Sequence, residues 1–526
     1  MLSALAALGT VYVCGLASGF HEPGLPVKFL VADDSMISLR IAHNFASHLG
    51  PYFNAGERTA ANTSLFWPIA ISPVFKIFSD LGRAVLALSV ISALLTALTV
   101  GLVTYYAETV SASIAATVTL LVLPGFAAYG SSIMEHVPQT LFVTLGFLVL
   151  LGRIKRFAGL EAEGCLVLFS LAFLMRPDTL PLMVPIAASV VMRRSENKLM
   201  AYASLAFAVA TLVLYYALHH WFYGTFVPNT FHLKVRFGMG SIMLGTRYVV
   251  FEALSSGVSA VLFALFTLFM IRREIFNSSE RITLLALLMQ LAYIAAVGGD
   301  VLLYGRFFLI LSPITAMLFW EKFFRMEHGP NFARQSLVRA VAIFCLFAIF
   351  FCNLRRYVET NEVQVVIFHG GYVVSANDQF EDGTIIAEYI RRHVTPEDGQ
   401  IGLFALGGLS YYLPEYLGAD FLGKADPVIA NEPVKWGPIG HNKWDIPYTL
   451  QTRHVSVIPF VPEPESQARH DLAVHTDFGF VPAFQLDDYL RRHYTYRSPQ
   501  ELGSPGIVGL YIRNDLLDRF PQVSAD

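Results

Sequence analysis

Apolar runs long enough to cross a bilayer, or slightly shorter ones in pairs, recur along this chain as far as about residue 352. No other feature narrows the fold so far, because a run of about 20 apolar residues crosses the hydrocarbon as a helix that satisfies its own backbone groups. The runs read as about eleven spanning helices by that length criterion. One covers Leu2 to Phe20, and the others lie near 84–106, 111–129, 138–152, 163–175, 179–192, 199–218, 249–271, 282–297, 307–320 and 337–352. With 15% charged and 55% hydrophobic residues and a mean hydropathy of +0.52, the chain carries too little charge for a soluble protein of 526 residues. The start has no Lys or Arg and no small-x-small cleavage pattern follows, so Leu2 to Phe20 is expected to be a retained span, short by a few residues, and not a signal peptide.

Basic clusters set the expected orientation. Arg153-Ile154-Lys155-Arg156, Arg193-Arg194, Arg272-Arg273 and the stretch Lys322 to Arg334 should face the cytoplasm. One assignment satisfies all four: the N-terminus inside, residues 21–82 outside as a first loop, and Leu65 to Phe78 lying shallowly in the membrane without crossing it. Asp33, Asp34, Glu135, His136, Arg176, Asp178, His219, His220, Asn229, Lys234, Asp300 and Arg306 then all emerge on the outer face.

From Asn353 onward proline and charge rise and the apolar runs shorten to strand length. Residues 1–352 thus read as a membrane domain and 353–526 as an outer soluble domain, large enough for its own core. Asp382 to His393 has the pattern of an amphipathic helix, while Gln400 to Ala405 and His454 to Ile458 have that of buried strands, which predicts a mixed α/β domain. The sequons at Asn62 and Asn277 matter only in a secretory pathway.

The strongest candidate for chemistry is Ala32-Asp33-Asp34-Ser35-Met36-Ile37-Ser38-Leu39-Arg40, since two carboxylates beside a membrane span are costly without partners or a wet cavity. An N-cap on the following helix explains one of them and leaves the other free. Arg176-Pro177-Asp178 is equally readable as a polar turn, and Glu135-His136 as an interfacial cap. Lys234 and Arg306 sit at helix ends, where such side chains commonly snorkel to the headgroups. Trp221, Tyr223 and Phe231 form either a ligand platform or part of an aromatic belt.

The run Asp33 to Trp67, with Phe53-Asn54-Ala55-Gly56-Glu57-Arg58 and Asn62-Thr63-Ser64-Leu65-Phe66-Trp67, resembles the first periplasmic loop of GT-C glycosyltransferases. It is similar, more narrowly, to the branch with mycobacterial-type terminal arabinofuranosyltransferases. The resemblance recurs in order at His220 to Lys234, at Gly298-Gly299-Asp300 with Arg306, and at Gly440-His441-Asn442-Lys443. It implies a GT-C-like membrane fold with the C-terminal α/β domain outside. The implied activity moves a sugar, arabinofuranose in that branch, from a polyprenyl-phosphate carrier to a glycan, lipid or protein of the cell envelope, at a bacterial plasma membrane.

In such a reaction the departing lipid phosphate needs no proton, so a single carboxylate base suffices, and inversion is expected. The resemblance gives that role to Asp33, with Asp34 as alternate or as a sugar-binding neighbour. It gives the phosphate to Lys234 and Arg306, whose fixed charge would stabilise the leaving anion. Arg40, Glu135, His136, Tyr223, Asn229, Asp300, His441 and Lys443 complete the expected substrate contacts. Two stretches depart from the branch: Arg58 to Ser64, and Gly418 to Asp426, where Lys424 stands at a position that is commonly small and apolar.

Other classes fit less well. A net charge of −3 without a basic stripe argues against nucleic acid as a partner. Cys14, Cys165, Cys345 and Cys352 all lie in apolar segments, and no cofactor motif or His-Glu-x-x-His zinc site is present, though a divalent metal stays open. A transporter or flippase would show ionisable residues at mid-span and repeated halves, and neither is evident. A membrane scaffold with degenerate loops is the weaker rival.

Overall fold

A computed structural model describes residues 33–192, 197–235, 238–256, 258–300, 305–325, 385–404, 406–435, 440–459, 483–484, 486–503 and 509–520. The expected spans at Leu2 to Phe20 and 337–352 lie outside the described residues, as do Cys14, Cys345 and Cys352. Contacts divide the chain into two compact units. The first is built from residues 85–217 and 236–374 with the N-terminal 31, and the second from 32–84, 218–235 and 375–526.

The first unit is helical. Its helices follow the apolar runs because those residues keep the backbone bonded internally and pack side chain against side chain: Leu81–Tyr106, Val110–Val122, His136–Leu150, Glu161–Met175, Leu180–Met192, Lys198–Tyr223, Met239–Ser256, Val258–Arg272, Ser278–Ala296 and Ser312–Arg325. Pro124 opens a separate short helix, Pro124–Gly130, within the run expected at 111–129. Among the described residues three helices are long and apolar enough to cross a membrane, namely Leu81–Tyr106, Lys198–Tyr223 and Ser278–Ala296, and the remaining apolar helices are shorter.

Polar side chains gather at two ends of this unit. At one, Arg153 bonds Glu108 at 2.9 Å and Glu321 at 2.7 Å, and Lys322 is buried against Glu280 at 2.6 Å. Asn277 and Glu280 form a reciprocal cap on the helix Ser278–Ala296, which gives the sequon asparagine a structural use. At the other end lie Glu135, Arg176, Asp178, Asp300 and Arg306.

The second unit is mixed. The helix Asp33–Ala46 packs on Phe66–Ile71, Pro73–Ile77 and Gly408–Tyr412. The stretch expected to lie shallowly as one helix is thus two short ones, broken where Pro73 has no N–H to donate. The C-terminal residues give, among those described, a five-stranded sheet. Its strands are β1 (Gln400–Leu403), β2 (Gly418–Asp420), β3 (Val455–Pro459), β4 (Tyr494–Arg497) and β5 (Leu510–Arg513), in the order β2-β1-β3-β5-β4. The β1 pairings with β2 and β3 are parallel, whereas β3–β5 and β5–β4 are antiparallel. Phe421, Trp444, Ile446, Leu450, Val455, Ile458 and Phe484 form the core on this sheet. The strands expected at 400–405 and 454–458 are present, and a helix covers 385–393.

Candidate functional site

The helix Asp33–Ala46 carries the acidic pair at its first turn, where unsatisfied N–H groups and the helix dipole favour negative charge. The Asp33 side chain lies outside the described residues, while Asp34 is half-buried. The Nζ of Lys424 donates to Asp34 Oδ1 at 2.8 Å, with the two side chains 10% and 20% exposed. Lys424 is the functional candidate that sequence reasoning missed. Its only signal was the departure from the family pattern, because 390 residues separate it from its partner.

The loop that presents Lys424 is built by its own acids. Asp420 accepts from Leu422 N at 2.8 Å and Ala425 N at 2.6 Å, and Asp426 accepts from Val428 N and Ile429 N. Gly423, at φ +86°, makes the reversal, and an added Cβ there would lie 2.8 Å from Ala430 N. Burial pushes the Asp420 carboxyl up to about 6 against the two N–H bonds and Lys424, which pull it down.

A polar chain ties this loop to the Asn54-Ala55-Gly56-Glu57 turn. Arg453 donates to Asp426 Oδ2 from Nε at 2.8 Å and Nη2 at 2.6 Å, and to Glu57 Oε1 at 2.9 Å. Asn54 donates to Glu57 Oε2 at 2.9 Å and exchanges two 2.9 Å bonds with Gly418. The family-like turn in the first loop therefore braces residues 418–426.

Arg40, expected to touch substrate, instead donates all five N–H groups within the protein, to the carbonyls of Phe53, Ser410, Leu413 and Tyr416 and to Asn54 Oδ1. Its guanidinium lies over the Phe53 ring, and full burial away from water draws it down to about 10, which leaves it charged at neutral pH. Tyr223, whose hydroxyl donates to Pro51 O at 2.8 Å, and Asn229, whose amide donates to Lys424 O at 3.2 Å, are buried braces as well. Asn229 also takes Ala60 O with its backbone N–H at 3.1 Å.

Two motifs far apart in sequence meet here. The turn Gly440-His441-Asn442-Lys443 sits on the helix Asn229–Lys234: Lys443 donates to His232 O at 3.1 Å and to Ala430 O at 2.7 Å. An added Cβ at Gly440, φ +83°, would stand 3.4 Å from Lys234 Cε. His441 and Lys234 are both partly exposed at this contact.

The remaining expected residues fall in the helical unit. Arg176 bonds Glu135 at 2.5 Å and Asp178 at 2.9 Å, and Gln139 donates to Asp178 at 2.6 Å. Arg306 grips Asp300 with two bonds, 2.7 and 3.0 Å, and both arginines stand 5.7 Å from the Phe307 ring. His136, 1% exposed, borders a small apolar pocket of about 20 Å³ with Tyr129, Thr140 and Leu309. Among the described residues no three His, Cys, Asp or Glu side chains converge as metal ligands.

With these arrangements in view, the chain compares with solved structures of membrane transferases. It is similar to ArnT from Cupriavidus metallidurans bound to undecaprenyl phosphate, at 12% identity over 97% of each chain with a TM-score of 0.53. It is also similar to the Archaeoglobus fulgidus oligosaccharyltransferase in the apo form, at 13% identity over 99% of this chain and 74% of that one, TM-score 0.52. AglB from the same organism, in complex with an inhibitory peptide and a dolichol-phosphate, matches at 12% identity over 98% of this chain and 74% of its own, TM-score 0.52. These neighbours are GT-C proteins, and at such identities the likeness establishes a shared fold. No protein-family model matches the chain, and no curated protein does.

Proposed function

We propose that this chain is a GT-C membrane glycosyltransferase that takes a sugar, of the pentofuranose class such as arabinofuranose, from a polyprenyl-phosphate donor. The acceptor is a glycan, lipid or protein of the cell envelope, on the outer face of a bacterial plasma membrane. The observation that carries the reading is the shared fold with two proteins whose structures hold a polyprenyl phosphate, undecaprenyl in one and dolichol in the other. Residues 1–352 form the membrane domain in this reading, with 353–526 outside.

In the transfer, the acceptor hydroxyl gives its proton to Asp33 as its oxygen forms the bond to the anomeric carbon. The bond from that carbon to the phosphate oxygen breaks, and its electron pair leaves on the lipid phosphate. Direct displacement inverts the anomeric centre. Of the two cations assigned to the phosphate, Arg306 is held in a buried two-pronged pair by Asp300, so Lys234 takes that role. Asp34, His441 and Lys443 shape the surroundings of the substrates in this reading.

The test is a panel of radiolabelled polyprenyl-phosphate sugars offered to the purified protein. One donor should be consumed by the wild type, and Asp33→Asn should abolish that transfer while the protein stays folded. Near-normal turnover by Asp33→Asn removes the base, and movement of the labelled lipid across vesicles without transfer replaces the enzyme by a flippase.

A further inference from the structure

Asp34 stands in the first turn of the helix Asp33–Ala46, next to Asp33 in sequence. Among the described residues the structure supplies a countercharge for Asp34 in Lys424, 2.8 Å away and buried. That lysine does not reach in from a mobile stem. Its loop is fixed by Asp420 and Asp426 on backbone N–H groups, by Arg453 on Asp426, and by Asn229 on the Lys424 carbonyl. Arg40, two turns on, is spent on carbonyls, with Glu57 and Glu415 as its nearest acids. His43 stands in the last turn against Phe75. The helices Phe66–Ile71, Pro73–Ile77 and Gly408–Tyr412 bring only Lys76.

We propose that Lys424 is a positioning residue for Asp34: by pairing with its carboxylate it fixes the group and lowers the pH at which it takes up a proton, keeping it ionised as the alternate base or as the sugar-binding neighbour of Asp33. This rests on the transferase reading, where an ionised base is required. The lysine itself touches no reacting atom in this scheme. Its contribution is to the charge of Asp34, which separates it from a purely structural tie.

Carbodiimide modification of protonated carboxyls, followed by peptide mass spectrometry of the Asp33–Arg40 segment of the full-length protein across pH 4 to 9, tests it without any sugar donor. Removing a cation this close raises a carboxyl's midpoint by at least about one pH unit. Asp34 in Lys424→Met should therefore label roughly tenfold more at a fixed pH above the midpoint, and Lys424→Arg should return to the wild-type curve. An unchanged midpoint in folded Lys424→Met overturns the proposal. Should that variant not fold, a wild-type Asp34 midpoint at or above the ordinary carboxylate range overturns it equally. In the transfer assay the acid limb of kcat/KM should move up with the labelling midpoint, and Asp34→Asn in the Lys424→Met background should move it back. Failure of every donor in the panel would remove the transferase reading, while the labelling curve would still answer for Lys424.

Discussion

Replacing Arg40 by Met removes a charge that lies wholly inside the polar unit and holds four carbonyls and one side-chain amide oxygen. Methionine fills much of the space and offers no donor, so Phe53, Ser410, Leu413 and Tyr416 lose their partner out of reach of water. Breaking a buried, hydrogen-bonded cation in this way costs about 3–5 kcal/mol. At about 2–4 °C per kcal/mol for a unit of this size, the unfolding midpoint should fall by roughly 10 °C. The measurement is a thermal scan of the full-length chain in detergent at one fixed scan rate, since membrane proteins rarely refold in a scan. Amide exchange should quicken over residues 410–416 above all, because those carbonyls anchor the helix Gly408–Tyr412 to the helix Asp33–Ala46. A midpoint lowered by less than about 3 °C, below the smallest loss this cost allows, would refute the bracing argument. Unchanged stability with lost donor binding would restore Arg40 to the substrate contacts.

Asp420 should give the polar unit a pH-dependent stability of unusual sign. Its folded pKa of about 6 lies above the ~3.9 of an aspartate in an unfolded chain, so the folded chain holds a proton that the unfolded chain has released between those values. Stability then falls as pH rises through that window, by about 3 kcal/mol, and is flat above it. Asp420→Asn should abolish the slope in denaturant melts at pH 4.5 and 7, and an identical slope in both proteins would show the titration lies elsewhere. Lys322→Met leaves Glu280 buried without its cation and should cost about 3–5 kcal/mol in the same melts, whereas replacing both by apolar residues should recover most of it. Arg453→Met should loosen the Lys424 loop by releasing Asp426 and Glu57 together, read as faster exchange at Ala425, Val428 and Ile429; unchanged exchange would mean the carboxylates hold the loop unaided.

The helices were legible because apolar side chains must cover a backbone that cannot bond to lipid, and that demand is written locally, as in Glu161–Met175 against the run read at 163–175. Strands β1 and β3 were legible from a different local mark, each a short apolar run between turn residues that is buried in the sheet. The division of the chain was less so: hydropathy marks a change at Asn353, while contacts gather 32–84 and 218–235 with the C-terminal residues. Roles within the site were least legible. Arg40 and Asn229 carry the residue types of ligand contacts, yet three of Arg40's carbonyl partners lie 370 or more residues away and the carbonyl that Asn229's side chain bonds lies 195 away, which no spacing rule reaches. Lys424 is the converse case, a residue whose local setting announces nothing and whose partner is the acidic helix itself.

The bond from Asn54 to Gly418 closes a span of 364 residues, and the reciprocal bond from Gly418 closes it again. During translation the first loop must therefore wait, its polar groups hydrated, until nearly the whole protein has left the ribosome. Loops of that length close slowly, and a nascent chain stalled before residue 418 has β1 but neither of the strands that β1 pairs with. Such a chain would insert normally and carry no assembled acidic site, so completion of synthesis itself acts as the checkpoint before any chemistry can begin.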